Sequence, residues 1–93
     1  MADGDTYHLL FYTYPADILE RRGPYRGAHL QRIQAEQRAG RVTHAGALGM
    51  PPTGGAMVWL NTPVEEIEAF AQTDPYNAAG LITSWRIEPW ALV

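Results

Sequence analysis

The hydrophobic and polar residues of this chain are arranged in segments that predict both strands and helices. Residues 7–14 are a nearly unbroken run of aromatic and aliphatic side chains, which is typical of a strand buried on both faces. Near the other end, residues 81–90 alternate between apolar and polar side chains with the two-residue period of a strand. The chain is therefore expected to begin and end its fold with a strand.

Two helices are predicted between these outer strands. The first begins at Pro24, because proline suits the first helical position, and it runs to about Ala39, where a glycine follows. The second is predicted to follow a capping box at residues 62–65. It must end by Asp74, since the proline that follows disfavours a helical conformation at that aspartate.

Two further strands are predicted at residues 41–48 and 56–61, joined as a hairpin by a glycine- and proline-rich loop. The order strand, helix, strand, strand, helix, strand predicts an α+β fold of the ferredoxin-like type. Its four-stranded antiparallel sheet would carry both helices on one face. The first and last strands carry apolar residues at both odd and even positions, and therefore on both faces of the sheet. The bare face is thus expected to meet a second copy, giving a homodimer or a higher oligomer.

Composition and charge narrow the class of protein. The 93 residues, of which 46% are hydrophobic, predict one globular domain over residues 1–93, with a flexible acidic start at residues 1–5. No long apolar run predicts a membrane span, and the polar start favours a cytoplasmic protein. A net charge of −3 without a basic stripe argues against nucleic acid as a partner. The lack of cysteine excludes thiolate catalysis.

The first long helix carries the candidate chemistry. Arg26 and His29 fall on the same helical face as Leu30, within an arc of roughly 100°. Buried polar groups need partners, and Asp74, held at a helix end, is the candidate partner. An imidazole held by a carboxylate keeps one tautomer and can move protons near neutral pH. Arg26 could hold a substrate carboxylate or enolate by a forked pair of hydrogen bonds.

A structural interpretation competes with this one. A buried Arg–His–Asp cluster can be a satisfied polar network that holds a helix to a turn, and Asp74 alone is typical of a turn cap. His8 and His44 lie in predicted strands. Because the three histidines lack the spacing of a metal site, neither a metal nor another cofactor is expected.

Several segments resemble one known family. R-G-A-H-L at 26–30 resembles the R-x-x-H-L helix signature of the YCII-related (YciI-like) family, and D-P-Y-N-A-A-G at 74–80 resembles its D-P-Y-x-x-A-G signature. A-G-R at 39–41 resembles a turn of the same family, and the resemblance extends to the aromatic residue after the last proline. The similarity therefore spans nearly the whole chain, with Gly46-Ala47 departing from the glycine–proline pair usual in the family.

The resemblance implies a dimeric α/β barrel, in which two ferredoxin-like sheets pack face to face. It also implies an active-site pair carried by His29 and Asp74. One branch of the family eliminates chloride from chlorinated hydroxyquinols, and the wider superfamily includes muconolactone isomerases and small monooxygenases.

Two functional hypotheses follow. In the first, the chain is a lyase or isomerase acting on an oxygenated ring or enol-like small molecule. His29 would move a proton, Asp74 would orient His29, and Arg26 would steady the anion. In the second, the same homodimer binds a metabolite or another protein without turnover. An open, partly apolar cavity beside His29 would favour the enzyme, whereas a sealed His29 would favour a structural or binding role.

Overall fold

The computed structural model describes residues 4–93, and the first three residues of the predicted flexible start lie outside the described residues. None of the helices in residues 4–93 is long and apolar enough to cross a membrane. In chain order the elements are β1 (Tyr7–Thr13), α1 (Ile18–Arg21), α2 (Gly23–Arg38), β2 (Val42–Leu48), β3 (Gly54–Leu60), α3 (Val64–Gln72), α4 (Pro75–Ala78) and β4 (Ser84–Pro89).

The four strands form one antiparallel sheet in the order β2-β3-β1-β4. Tyr12 of β1 faces His29 of α2. Trp59 of β3 packs edge-on against Phe70 of α3, with ring centroids 5.0 Å apart. The pairing of β1 with β3 puts Tyr12 and Trp59 on the same side of the sheet. Both long helices therefore cover one face, and the predicted ferredoxin-like α+β fold is confirmed.

The hydrophobic core lies between this face and the helices. It consists mainly of fully or almost fully buried aliphatic and aromatic side chains from every layer of the fold. The burial of this apolar surface is the main favourable contribution to folding. The largest fully buried apolar members are Leu10, Ile18, Trp59, Ile67 and Leu81.

Two local predictions are wrong. The predicted capping box does not form, because Pro63 occupies the N-cap of α3 and Thr62 lies one residue too early. The Thr62 hydroxyl instead donates to the Leu60 carbonyl oxygen at 3.0 Å. The last strand begins at Ser84 rather than at residue 81, because residues 81–82 are both buried and so do not alternate between two faces.

The opposite face of the sheet is apolar along its two central strands. Phe11 of β1 shares that face with Val58 and Leu60 of β3, and all three are half-buried. The expectation that β4 would also be apolar there is wrong. Its outward residue Arg86 is exposed and lies over the Phe11 ring, with the guanidinium carbon 4.3 Å from the ring centroid. Every second residue of β4 faces this side of the sheet, and the three that do so, Ser84, Arg86 and Glu88, are polar and exposed.

Candidate active site

Asp74 joins two helices and points into the protein. It is the N-cap residue of α4, with extended backbone angles, and its carboxylate accepts a hydrogen bond from the Tyr76 N–H at 2.9 Å. Aspartate is a preferred N-cap residue, and Pro75 suits the first position of the helix. The side chain is only 1% exposed. The local sequence therefore places a buried carboxylate at this junction.

His29 of α2 binds this carboxylate. Its Nδ1 lies 3.0 Å from Asp74 Oδ1 and 2.9 Å from Oδ2, and the hydroxyl of Tyr12 donates to Oδ2 at 2.9 Å. An ionised carboxylate can only accept, so Nδ1 is the protonated nitrogen of the neutral ring. Nε2 is then left as an acceptor. The structure thus brings together His29 and Asp74, which are 45 residues apart in the chain.

Aromatic packing fixes the orientation of the imidazole. The rings of His29 and Tyr76 are stacked, with centroids 3.8 Å apart and planes 7° from parallel. Tyr14 meets Tyr76 edge-on at 6.0 Å. Gly55 leaves space for this tyrosine, because a Cβ atom at Gly55 would lie 2.8 Å from the Tyr14 hydroxyl oxygen. Carboxylate and ring stack together hold His29 in one position.

Sequence reasoning missed these tyrosines as parts of the site. Tyr76 follows Asp74 by two residues in the same short motif, so the motif itself contained a signal. Tyr12 and Tyr14 share the parity of Leu10 in the first strand, which could have placed them on the helix-covered face.

The tyrosines around His29 hold their protons tightly. Burial raises the pKa of Tyr12, and the negative charge of Asp74 and the hydrogen bond to it act in the same direction. Burial also raises the pKa of Tyr14 to about 12, helped by Tyr76 and Asp74 and opposed by the charge of Arg22. Burial likewise raises the pKa of Tyr76. At neutral pH these phenols are therefore hydrogen-bond donors and not phenolates.

A cavity of about 270 Å³ opens beside His29, between α2 and the strands β2 and β3. A dry protein cavity of roughly 150 Å³ can hold benzene, so this volume suits one substituted ring. We call it the His29 cavity. Its apolar wall includes Leu30, Ile33, Ala45 and Met57, and its polar wall includes Tyr14, Arg22, Arg26 and His29.

Arg26 does not share the burial of His29, contrary to the expectation from the helical face. Arg26 is exposed at the open side of the His29 cavity, while His29 is 5% exposed. Among the hydrogen bonds of residues 4–93, none joins Arg26 to Asp74. The physical reason is that Arg26 lies one turn closer to the start of α2, where its long side chain reaches solvent. Arg22, which sequence reasoning also missed, is half-buried on the same cavity wall.

The other two histidines lie elsewhere. His8 is half-buried opposite Trp59 in the sheet, and His44 is exposed in β2, with its Nδ1 3.2 Å from the Thr43 hydroxyl. In the part of the chain that the structure describes, no three His, Cys, Asp or Glu side chains are grouped as metal ligands.

A second cavity, of about 390 Å³, lies between α2, α3 and Trp59, and we call it the Arg32 cavity. Arg32 donates to the Phe70 carbonyl oxygen at 3.1 Å and to the Thr73 hydroxyl at 2.6 Å. Its guanidinium carbon lies 4.4 Å from the centroid of the Phe70 ring. Arg41, on the same cavity wall, forms an ion pair with Glu36. The positive charges of this cavity are thus engaged by the protein itself.

Comparison with known proteins agrees with this fold. The family model of the YCII-related domain matches residues 6–91. The chain belongs to the YCII-related family. Protein YciI of Escherichia coli O6:H1 is 30% identical over 95 residues, which cover 92% of this chain and 97% of that protein. Protein YciI of Shigella flexneri shows the same identity and coverage.

A solved structure has a similar fold. It is 5-chloro-2-hydroxyhydroquinone dehydrochlorinase from Burkholderia phenoliruptrix AC1100, in complex with 2,5-dihydroxybenzoquinone. The TM-score is 0.76, and the match covers 91% of this chain and 93% of that one. At 19% sequence identity, the likeness describes the fold.

Proposed function

We propose that this chain is a small-molecule enzyme of the lyase or isomerase type, in which His29 transfers a proton on an oxygenated ring or enol-like substrate. One observation carries the proposal: a buried imidazole is bound through Nδ1 to Asp74 and also lines an open, partly apolar cavity. Its Nε2 is an acceptor with no hydrogen bond inside residues 4–93. A base held in this way can reach a proton of a bound ligand.

In this proposal His29 Nε2 removes a proton from a carbon next to a carbonyl carbon. The electron pair of the broken C–H bond forms a C=C bond, and the π electron pair of the carbonyl moves to its oxygen, which gives an enolate. The ring of His29 becomes an imidazolium. Asp74 stabilises that cation, the Tyr14 hydroxyl stabilises the enolate oxygen, and Arg26 steadies the anionic substrate. Return of the proton to another carbon gives an isomer. Expulsion of a leaving anion by the enolate electrons gives the product of a lyase.

The substrate class rests on size and on the structural neighbour. The neighbour is named for dehydrochlorination of a hydroxyhydroquinone and holds a dihydroxybenzoquinone. The His29 cavity, at about 270 Å³, has room for a ring of that kind. We therefore propose an oxygenated monocyclic substrate for this chain.

A turnover screen with chlorinated and unchlorinated hydroxyquinols and with lactones tests the proposal. We expect the wild type to convert at least one of them and His29→Gln to be slower by about 10²-fold or more. His44→Gln is the matched control, because His44 is exposed and lies outside the cavity. Binding of these compounds without turnover by the wild type would contradict the enzyme and favour the alternative, a metabolite-binding protein.

We also propose that a second copy covers the open face of the sheet. Its support is the apolar surface of Phe11, Val58 and Leu60, which no long helix of residues 4–93 covers. A standard interface would bury roughly 800 Å² on each subunit. Light scattering should show a dimer at micromolar concentration. Val58→Glu should give a monomer, and Gln31→Glu, at an exposed position of α2, should stay dimeric. A monomeric wild type would refute the pairing.

A further inference from the structure

Arg22 and Arg26 line the His29 cavity without a partner of opposite charge. In residues 4–93 neither guanidinium forms a hydrogen bond or an ion pair. Most of the other arginines do, donating to carboxylates, carbonyl oxygens or a hydroxyl. These engaged arginines are Arg21, Arg32, Arg41 and Arg86.

The spacing of the two arginines makes their lack of partners costly. Arg22 is the N-cap residue of α2, with helical backbone angles, and Arg26 follows it by four residues. Like charges at this spacing repel each other and destabilise a helix. Burial raises the pKa of Tyr76, and the charges of Arg22 and Arg26 oppose this rise. Both charges therefore act on the ring that stacks on His29. An anion placed between them would remove the repulsion.

The walls of the cavity contain no compensating negative charge. No aspartate or glutamate of residues 4–93 lines it. Asp74 lies behind His29, is 1% exposed, and already accepts hydrogen bonds from Tyr12, His29 and Tyr76. In a chain of net charge −3, this leaves a positive site at the open side of the cavity.

We infer that the ligand of the His29 cavity is a small ring compound with a carboxylate, which Arg22 and Arg26 hold at the open side of the cavity. Arginine favours carboxylates through forked hydrogen bonds. Arg26 precedes His29 by three residues, which is roughly 4.5 Å along the helix axis. A carboxylate held by the arginines would therefore leave a ring atom within reach of His29. The inference adds a substrate class to the proposed function and rests on that proposal for turnover, but not for binding.

Two matched probes test the inference by calorimetric titration: 2,5-dihydroxybenzoate and its uncharged methyl ester. We expect the wild type to bind the carboxylate at least about tenfold more tightly, a difference of about 1.4 kcal/mol. Arg22→Gln and Arg26→Gln should each lose most of this preference and bind the ester as before. Added salt should weaken binding of the carboxylate more than that of the ester.

Arg38→Gln is the control variant, because it removes the same charge from α2 at an exposed position outside the cavity. It should keep the full preference for the carboxylate. Equal affinity of the wild type for both probes, no binding of the carboxylate, or an equal loss in Arg38→Gln would overturn the inference.

Failure of the inference and failure of the proposed function are distinguishable. If the wild type prefers the carboxylate but turns over no substrate, the anion site is supported and the proposed enzymatic function is refuted. If turnover depends on His29 but the wild type shows no preference for the carboxylate, the proposed enzymatic function is supported and the anion site is refuted. His29→Gln should retain the preference, because the arginines and not the imidazole recognise the charge.

Discussion

The His29 cavity and the Arg32 cavity use different faces of α2, and arginines line both. In the Arg32 cavity, Arg32 is bound to Phe70 of α3 and to Thr73, the C-cap residue of that helix. In the His29 cavity, Arg22 and Arg26 have no such partners within residues 4–93. The difference separates charges that hold the fold together from charges that are available to a ligand. The larger cavity is therefore not the better candidate for a site.

The largest expected effect is at Asp74. This carboxylate lies behind the His29 cavity, and like Arg32 it is bound by groups of the protein itself. Asp74→Asn puts an NH₂ group among donors from Tyr12, His29 and Tyr76. We expect the free energy of unfolding in urea to fall by about 3 kcal/mol. Asp17→Asn is the control, because Asp17 is exposed and forms only a surface pair with Arg21. It should change stability by less than about 1 kcal/mol. Equal stability of the two variants would contradict the structural role of Asp74.

The next effect concerns the Arg32 cavity. Arg32→Gln removes two hydrogen bonds and a cation–π contact that join α2 to α3. The free energy of unfolding should fall by about 1–2 kcal/mol. Arg38→Gln, on the same helix and exposed, should be close to the wild type. If Arg32→Gln were as stable as Arg38→Gln, the contacts of Arg32 would not stabilise the fold. The contrast between the arginines of the two cavities would then fail.

A further effect is expected at alkaline pH, through Tyr14. Burial raises the pKa of Tyr14 from 10.0 to about 12 in the folded protein. The unfolded chain therefore loses this proton first, and Tyr14 makes stability fall as the pH rises from about 10 to 12. Tyr14→Phe should show a shallower fall in urea unfolding over that range. Below about pH 9 the two proteins should have parallel pH profiles. If stability fell equally with pH in both proteins above pH 10 as well, the pKa of Tyr14 would not be raised by folding.

The smallest effect should be found at the two unpaired arginines. Arg22→Gln and Arg26→Gln remove a repulsion between like charges, and each should leave stability unchanged or raise it by up to about 0.5 kcal/mol. The sign is opposite to that for Arg32→Gln. Urea unfolding measured at low ionic strength, where the repulsion is least screened, gives the sharpest comparison. A loss above about 1 kcal/mol in either variant would mean that these arginines have a structural role.

The sequence alone determined the order of the elements and the fold class. Proline and glycine end each element, and the apolar periodicity tells strands from helices, so these features are local. The position of Asp74 at a helix end also follows from a neighbouring residue, because Pro75 disfavours a helical conformation at Asp74. The helical face of His29 followed from spacing along one helix. These signals were enough to name both members of the buried pair before any contact was known.

Only the tertiary structure decided what surrounds that pair. Tyr12 reaches Asp74 from 62 residues away, and Tyr14 depends on the absence of a side chain at Gly55 in another strand. Arg26 and His29 share a helical face by spacing, but His29 is buried and Arg26 is exposed, because burial depends on the distant segments that pack against each turn of α2. Such features arise from contacts between distant segments. Periodicity assigns a residue to one face of its own strand or helix, but it does not tell which distant residues that face meets.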